Sequence, residues 1–140
     1  MTWLTICSMK LLLDTQILIW FQLNDAQLPR RIRRLIEDPA NEIVISQLSF
    51  IEITIKQVTN RLPTFAVLTE ELTHKAETDG FVILPVSLNH IIAYRQIPFY
   101  ADHRDPFDRL ILATALAERM SVISADEKFG RYRDVVEVVW

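Results

Sequence analysis

The stretch Met9-Lys10-Leu11-Leu12-Leu13-Asp14-Thr15 sets an unbroken apolar run directly against an acid and a hydroxyl. A run this short and this uniformly apolar suits a strand buried on both faces, whereas a half-exposed strand alternates. Similar runs recur at residues 43–45, 81–84, 122–124 and 135–139. Between them, residues 17–23, 29–37, 48–61, 67–79, 88–96 and 106–120 carry helical spacing. In the last of these, Leu110, Leu112, Ala113, Leu116 and Ala117 form a broad apolar stripe. Strands separated by helices predict an α/β class: a central parallel sheet flanked by helices in three layers. Pro63, Pro85 and Pro98 punctuate elements and mark no linker, so the 140 residues read as one domain.

Composition narrows the chemistry. Half the residues are hydrophobic, enough for a true core, and the net charge of -3 excludes a bulk electrostatic binder of nucleic acid. With only Gly80 and Gly130, neither a P-loop nor a dinucleotide fingerprint is possible. The longest apolar stretch, residues 17–21, falls far short of a membrane span. Cys7 stands alone, which rules out a disulfide framework or thiolate zinc site and points to a reducing cytoplasm. Residues 1–8 read as an extension upstream of the domain at 9–140, with Met9 a candidate start.

In doubly covered parallel sheets, ligands collect beyond the carboxyl ends of the strands. Asp14 and Asp126 both follow apolar runs there, although either also suits a plain helix cap or turn. Glu52 completes a capping-box pattern with Ser49 and an i,i+4 pair with Lys56. In Asp105-Pro106-Phe107-Asp108, Asp105 suits an N-cap and Pro106 the first helical position, which leaves Asp108 in the first turn. Caps serving separate helices have no reason to meet at one sheet edge. Carboxylates that do meet repel one another until a cation neutralises them, and an all-oxygen donor set favours Mg²⁺ or Mn²⁺. Such an ion supports phosphodiester hydrolysis. His103, Arg104 and Arg109 surround Asp108 and are candidate phosphate contacts, with Lys128 and Arg131 extending the track. Arg30, Arg31, Arg33 and Arg34 read as a solvated helix face, and His74 and His90 as surface residues.

Four motifs then fall in a familiar order: Leu12-Leu13-Asp14-Thr15; Ser46, Ser49, Glu52, Ile53, Ile55 and Lys56; the run from His103 to Ile111; and Ser124-Ala125-Asp126 with Phe129. Together they resemble the PIN domain, specifically its VapC-like toxin branch, across residues 9–140. The resemblance implies a Rossmann-like three-layer fold and a Mg²⁺- or Mn²⁺-dependent endoribonuclease acting as the toxin of a toxin-antitoxin pair. By position it implies an acidic quartet of Asp14, Glu52, Asp108 and Asp126. Asp14 and Asp108 would be direct metal ligands, Asp105 a secondary acid, and Thr15 and Ser124 supports. It further implies an RNA substrate, a homodimer and a VapB-like antitoxin whose C-terminal segment enters the groove near the acids. Trp20 and Phe21 suit either such a groove or plain core and dimer contacts.

Three other readings compete. A catalytically silent PIN fold would bind RNA or protein without cutting, which only activity distinguishes. A receiver domain would need an acidic pair before its phosphoacceptor and a late-strand Lys, and would leave Glu52 and the Asp105 to Asp108 turn without purpose. A haloacid-dehalogenase-like phosphatase would need a second Asp where Gln16 stands.

Overall fold

A computed structural model describes residues 8–140. The expected extension over residues 1–8, with Cys7, lies outside that range except for Ser8. Strand β1 spans Lys10–Leu13, β2 Glu42–Ser46, β3 Val82–Leu84, β4 Ser121–Ile123 and β5 Val138–Val139. All neighbouring pairs run parallel, in the order β3-β2-β1-β4-β5. The helices are α1 Thr15–Leu23, α2 Arg30–Glu37, α3 Gln47–Val58, α4 Thr69–Thr78, α5 Leu88–Ala93 and α6 Pro106–Glu118.

Period-two alternation in the uniformly apolar strands produces the three layers. Leu11, Leu13, Ile43 and Ile45 pack on one face with Ile17, Ile32, Ile53 and Leu72 of α1 to α4. Leu12, Val44 and Val122 point to the other face, against Ala93 of α5 and Ile111, Leu112 and Ala115 of α6. β1 is therefore buried on both sides, as its three leucines require.

The strand order places the next strand to one side of β1 for β2 and β3 and to the other for β4 and β5. The reversal falls between β1 and β4, where Leu13 pairs with Ile123. This is the switch point at which two strands' carboxyl ends diverge and leave a crevice. Because of that register, Asp14 emerges beside Ser124.

Several expected boundaries shift for local reasons. α6 stops before Arg119, whose φ of 56° is left-handed. The expected helix at 88–96 is α5 followed by a 3-10 turn, Tyr94–Gln96, leading into Pro98. The expected strand at 135–139 keeps only Val138–Val139, because the amides of Val135 and Val136 bond back to the Tyr132 carbonyl. A 3-10 helix, Glu127–Tyr132, precedes that turn and is too short for sequence periodicity to reveal.

Candidate active site

Each acid is delivered by the end of an element. Asp14 ends β1 and caps α1: its Oδ1 accepts from the Gln16 amide at 2.8 Å, while its Oδ2 accepts from the Ser124 hydroxyl at 2.6 Å. The Ser124 Oγ in turn accepts from the Asp126 amide at 3.1 Å, so one hydroxyl ties the two diverging strand ends together. Asp126 caps the following 3-10 helix through the Lys128 amide. Asp105 caps α6 through the Phe107 amide, which leaves Asp108 in the first turn. Capping and facing the crevice are thus compatible for Asp14, Asp105 and Asp126, since a carboxylate has two oxygens.

Glu52 is different. The N-cap of α3 is Ser46, bonded to the Leu48 amide, so the expected capping box from Ser49 does not form. Ser49 is buried within the helix, 2.9 Å from the Thr15 hydroxyl, and this contact locks α3 to the start of α1. Glu52 lies one turn later, buried, with Lys56 Nζ at 2.8 Å.

The result is a cavity of about 370 Å³ lined by Asp14, Glu52, Asp105, Asp108 and Asp126, with Thr15, Gln16, Lys56 and Trp20 also contributing. Its floor is electrostatically costly. Burial raises the Asp14 carboxyl above its ordinary value; the Ser124 and Gln16 hydrogen bonds oppose this, and the Glu52 and Asp126 charges add to it. Asp108 is pushed up to about 6, chiefly by burial, against the stabilising hydrogen bond from His103.

His103 is not a surface cation. It is buried, with Nδ1 2.7 Å from the Tyr132 hydroxyl and Nε2 3.1 Å from Asp108 Oδ2. An ionised Asp108 can only accept, so Nε2 carries a proton, and in the neutral imidazole Nδ1 accepts from Tyr132. A fully buried tyrosine thus aims an imidazole that aims a carboxylate. One donor atom each from His103, Asp108 and Asp126 lie within 4.8 Å of one another, the tightest potential ligand group among the described residues. With its Nε2 proton committed to Asp108, His103 orients that group and leaves the oxygens to coordinate. Hard carboxylate oxygens, two of them held above their ordinary pKa by burial, are chemically suited to a divalent ion.

Other expectations change. Arg109, expected toward phosphate, is 4% exposed and donates to the Pro98 carbonyl at 2.7 Å, the Ile97 carbonyl at 3.0 Å and the Tyr94 hydroxyl at 3.1 Å. Its charge serves the fold. Arg104 stays on the surface, donating to the Ala101 carbonyl near the Phe99 ring. Lys128 and Arg131 both turn to Asp102. His90, expected at the surface, is buried: its Nδ1 accepts from the Ser87 amide, and so Nε2 donates to Glu118. Trp20 and Phe21 are half-buried against the core, Trp20 beside Trp140 and Phe21 beside Phe81.

Comparison with known families places this arrangement. The PIN domain pattern matches residues 11–135, a span that takes in all the acids just described. The chain belongs to the PIN domain family. Solved structures with a similar fold include VapBC2 from Rickettsia felis bound to a promoter DNA fragment, at 18% identity and a TM-score of 0.67, covering 94% of this chain and 98% of that one. FitAcB from Neisseria gonorrhoeae is similar at 24% identity and a TM-score of 0.62, covering 93% and 96%. VapBC-5 from Mycobacterium tuberculosis, of the VapBC family of toxin-antitoxin systems, is similar at 18% identity and a TM-score of 0.57, covering 93% and 95%. A search of curated protein sequences finds no match. The five-stranded parallel sheet is accordingly the PIN three-layer fold.

Two roles in this PIN domain's site escaped the sequence reading. Lys56, which lines the cavity, was read as a helix partner of Glu52 and part of a motif with no role in the site, and Tyr132, buried behind the cavity, lies 29 residues from the histidine it holds. Nothing in the local sequence around Tyr132 signals that contact.

Proposed function

We propose that this PIN domain is a metal-dependent endoribonuclease, the toxin of a toxin-antitoxin pair, with Mg²⁺ or Mn²⁺ held by Asp14, Asp108, Glu52 and Asp126. The observation that supports this most directly is the meeting of these four carboxylates, from four separate elements, in one cavity. When bound, a divalent ion clamps a phosphodiester, activates water and stabilises the leaving oxygen. The chain's own residues prepare that site. Ser124 fixes Asp14 and the start of the Asp126 turn together, Tyr132 and His103 aim Asp108, and Lys56 holds Glu52. Asp105 stands at the rim as a secondary acid, and Arg104 is a surface cation available to RNA.

The solved relatives named above come from toxin-antitoxin systems and their complexes, and this supports a VapB-like antitoxin as partner. Exposed apolar side chains on α3 and α5, including Ile51, Val58, Leu88 and Ile92, support pairing with a second copy. Among the described residues no helix is long and apolar enough to cross a membrane. The lone cysteine of the sequence supports a reducing cytoplasm as the compartment we propose. The direct test is incubation of the antitoxin-free protein with structured RNA in Mg²⁺, Mn²⁺ or EDTA. Cleavage that requires the ion is expected. Metal binding to the folded protein with no cleavage of any RNA offered would favour the silent PIN fold.

The carboxyl pKa directions add a thermodynamic prediction. A carboxyl raised on folding contributes stability below its unfolded pKa, and that contribution is lost as pH rises through its folded value. For Asp108 the loss runs from the ordinary carboxyl range up to about 6; Asp14 shifts in the same direction. At neutral pH the metal-free site therefore strains the fold, and a divalent ion relieves it. Saturating Mg²⁺ should raise Tm by several degrees at about pH 7.5 and much less at about pH 5, where protons occupy the oxygens. An equal rise at both pH values would place the ion elsewhere.

A further inference from the structure

Beside the acidic cavity lies a second one, of about 310 Å³, lined by Glu52, Ile55, Lys56, Arg61, Asp105, Pro106 and Phe107. The two share Glu52, Lys56 and Asp105 and so lie side by side. Their chemistry differs. The first is lined by five carboxylates, while the second keeps only the shared Glu52 and Asp105 and adds an apolar wall from Ile55, Pro106 and Phe107 and a cation, Arg61, beside the Lys56 that pairs with Glu52.

Arg61 is held at that edge by its own segment. After α3 ends, Asn60 adopts a left-handed φ of 58°, and the chain folds back so that the Arg61 amide donates to the Lys56 carbonyl at 2.8 Å. Its Nε donates to the Thr59 hydroxyl at 2.9 Å, and Thr59 donates to the Ile55 carbonyl. The guanidinium is thereby oriented without being neutralised by a carboxylate among the described residues. Arg131, by contrast, is paired with the Asp102 carboxylate, Lys128 donates to the Asp102 backbone carbonyl, and Arg109 is buried.

We propose that this second cavity is a subsite for one unpaired nucleotide flanking the cleaved bond, with its base against Phe107 and its phosphate met by Arg61 and Lys56. The proposal rests on the ribonuclease reading for its placement next to a scissile phosphate. A half-buried aromatic beside a fixed guanidinium suits single strands: every base has a face to stack, and every linkage a charge to neutralise. A base stacked in a duplex has both faces covered and none to offer Phe107, so the subsite favours loops and ends.

The test is fluorescence anisotropy with a short labelled single-stranded RNA, in Mg²⁺ and in an Asp108→Asn background, with strand integrity checked on a gel. Arg61→Gln should weaken binding about tenfold and lower the slope of log K against log salt by about 0.7, the loss of one phosphate contact. Phe107→Leu, which keeps an apolar side chain in the core, should weaken binding of the RNA about tenfold. It should leave binding of an abasic ribose-phosphate strand unchanged, which a packing defect would not do. Unaltered binding in both variants, equal weakening on both strands, or no binding by the parent overturns the subsite. If the parent protein never cleaves with metal while these binding effects appear, the subsite stands and the ribonuclease reading falls.

Discussion

Asp14→Asn is expected to lower metal-dependent RNA cleavage about a thousandfold while leaving the metal-free protein at least as stable as the parent. A transition-state contribution of several kcal/mol from a correctly held ion corresponds to a rate factor of about that size. The stability half of the prediction follows from the hydrogen bonds. Asparagine keeps an oxygen for the Gln16 amide, and its amide nitrogen can donate to the Ser124 Oγ where the carboxylate now accepts. It removes a buried charge that Glu52 and Asp126 oppose. Circular dichroism melts and RNA cleavage by the same preparation separate the two effects. Parent-like cleavage with Mg²⁺ would remove Asp14 from the site; a collapsed melt would make it a structural residue. Asp105→Asn serves as the contrast: the new amide oxygen still caps Phe107, the group is exposed, and only a small loss is expected.

The sheet and its acids were legible because a doubly buried strand must be apolar along its whole length, so the first acid after Leu13 or Ile123 marks where the strand leaves the core. Asp14 could not be assigned from sequence between helix cap and site residue, and the structure shows why the choice was false: it is bonded as a cap and lines the cavity at once. Glu52 was obscured by a capping pattern with Ser49 that the fold does not use, because the chain turns into α3 at Ser46, three residues earlier. Residues 127–132 form a short 3-10 helix whose length gives no period to read. Directions were harder than places. Arg109 follows Asp108 directly, but neighbours on a helix point about 100° apart. If one faces the crevice, the other faces the flank, and here that flank is the Ile97-Pro98 segment.

That flank supplies the second large effect. Arg109→Met should lower the free energy of unfolding by about 3 kcal/mol, since it orphans the buried carbonyl of Ile97 and the part-buried one of Pro98, at roughly 1 to 3 kcal/mol each before relaxation. The guanidinium donates to the carbonyls of Ile97 and Pro98 and to Tyr94, and it sits 5.0 Å from the Tyr94 ring centroid and 5.7 Å from that of Phe99. Methionine fills much of the volume but donates nothing. Arg109→Lys keeps a charge but has no planar fork to serve both carbonyls, so it should recover only part of the loss. Urea unfolding of the three proteins measures this, and KM for RNA, taken under conditions where each is folded, provides the discriminating readout. A fold role predicts an unfolding midpoint that falls and a KM that stays. A substrate role predicts the reverse: an unchanged midpoint and a raised KM would return Arg109 to the phosphate. The residues it braces make the first outcome the expected one. Ile97 and Pro98 begin the segment that carries His103 and Asp105 to the mouth of the crevice, and the arginine that reads as a phosphate contact in sequence anchors the base of that segment.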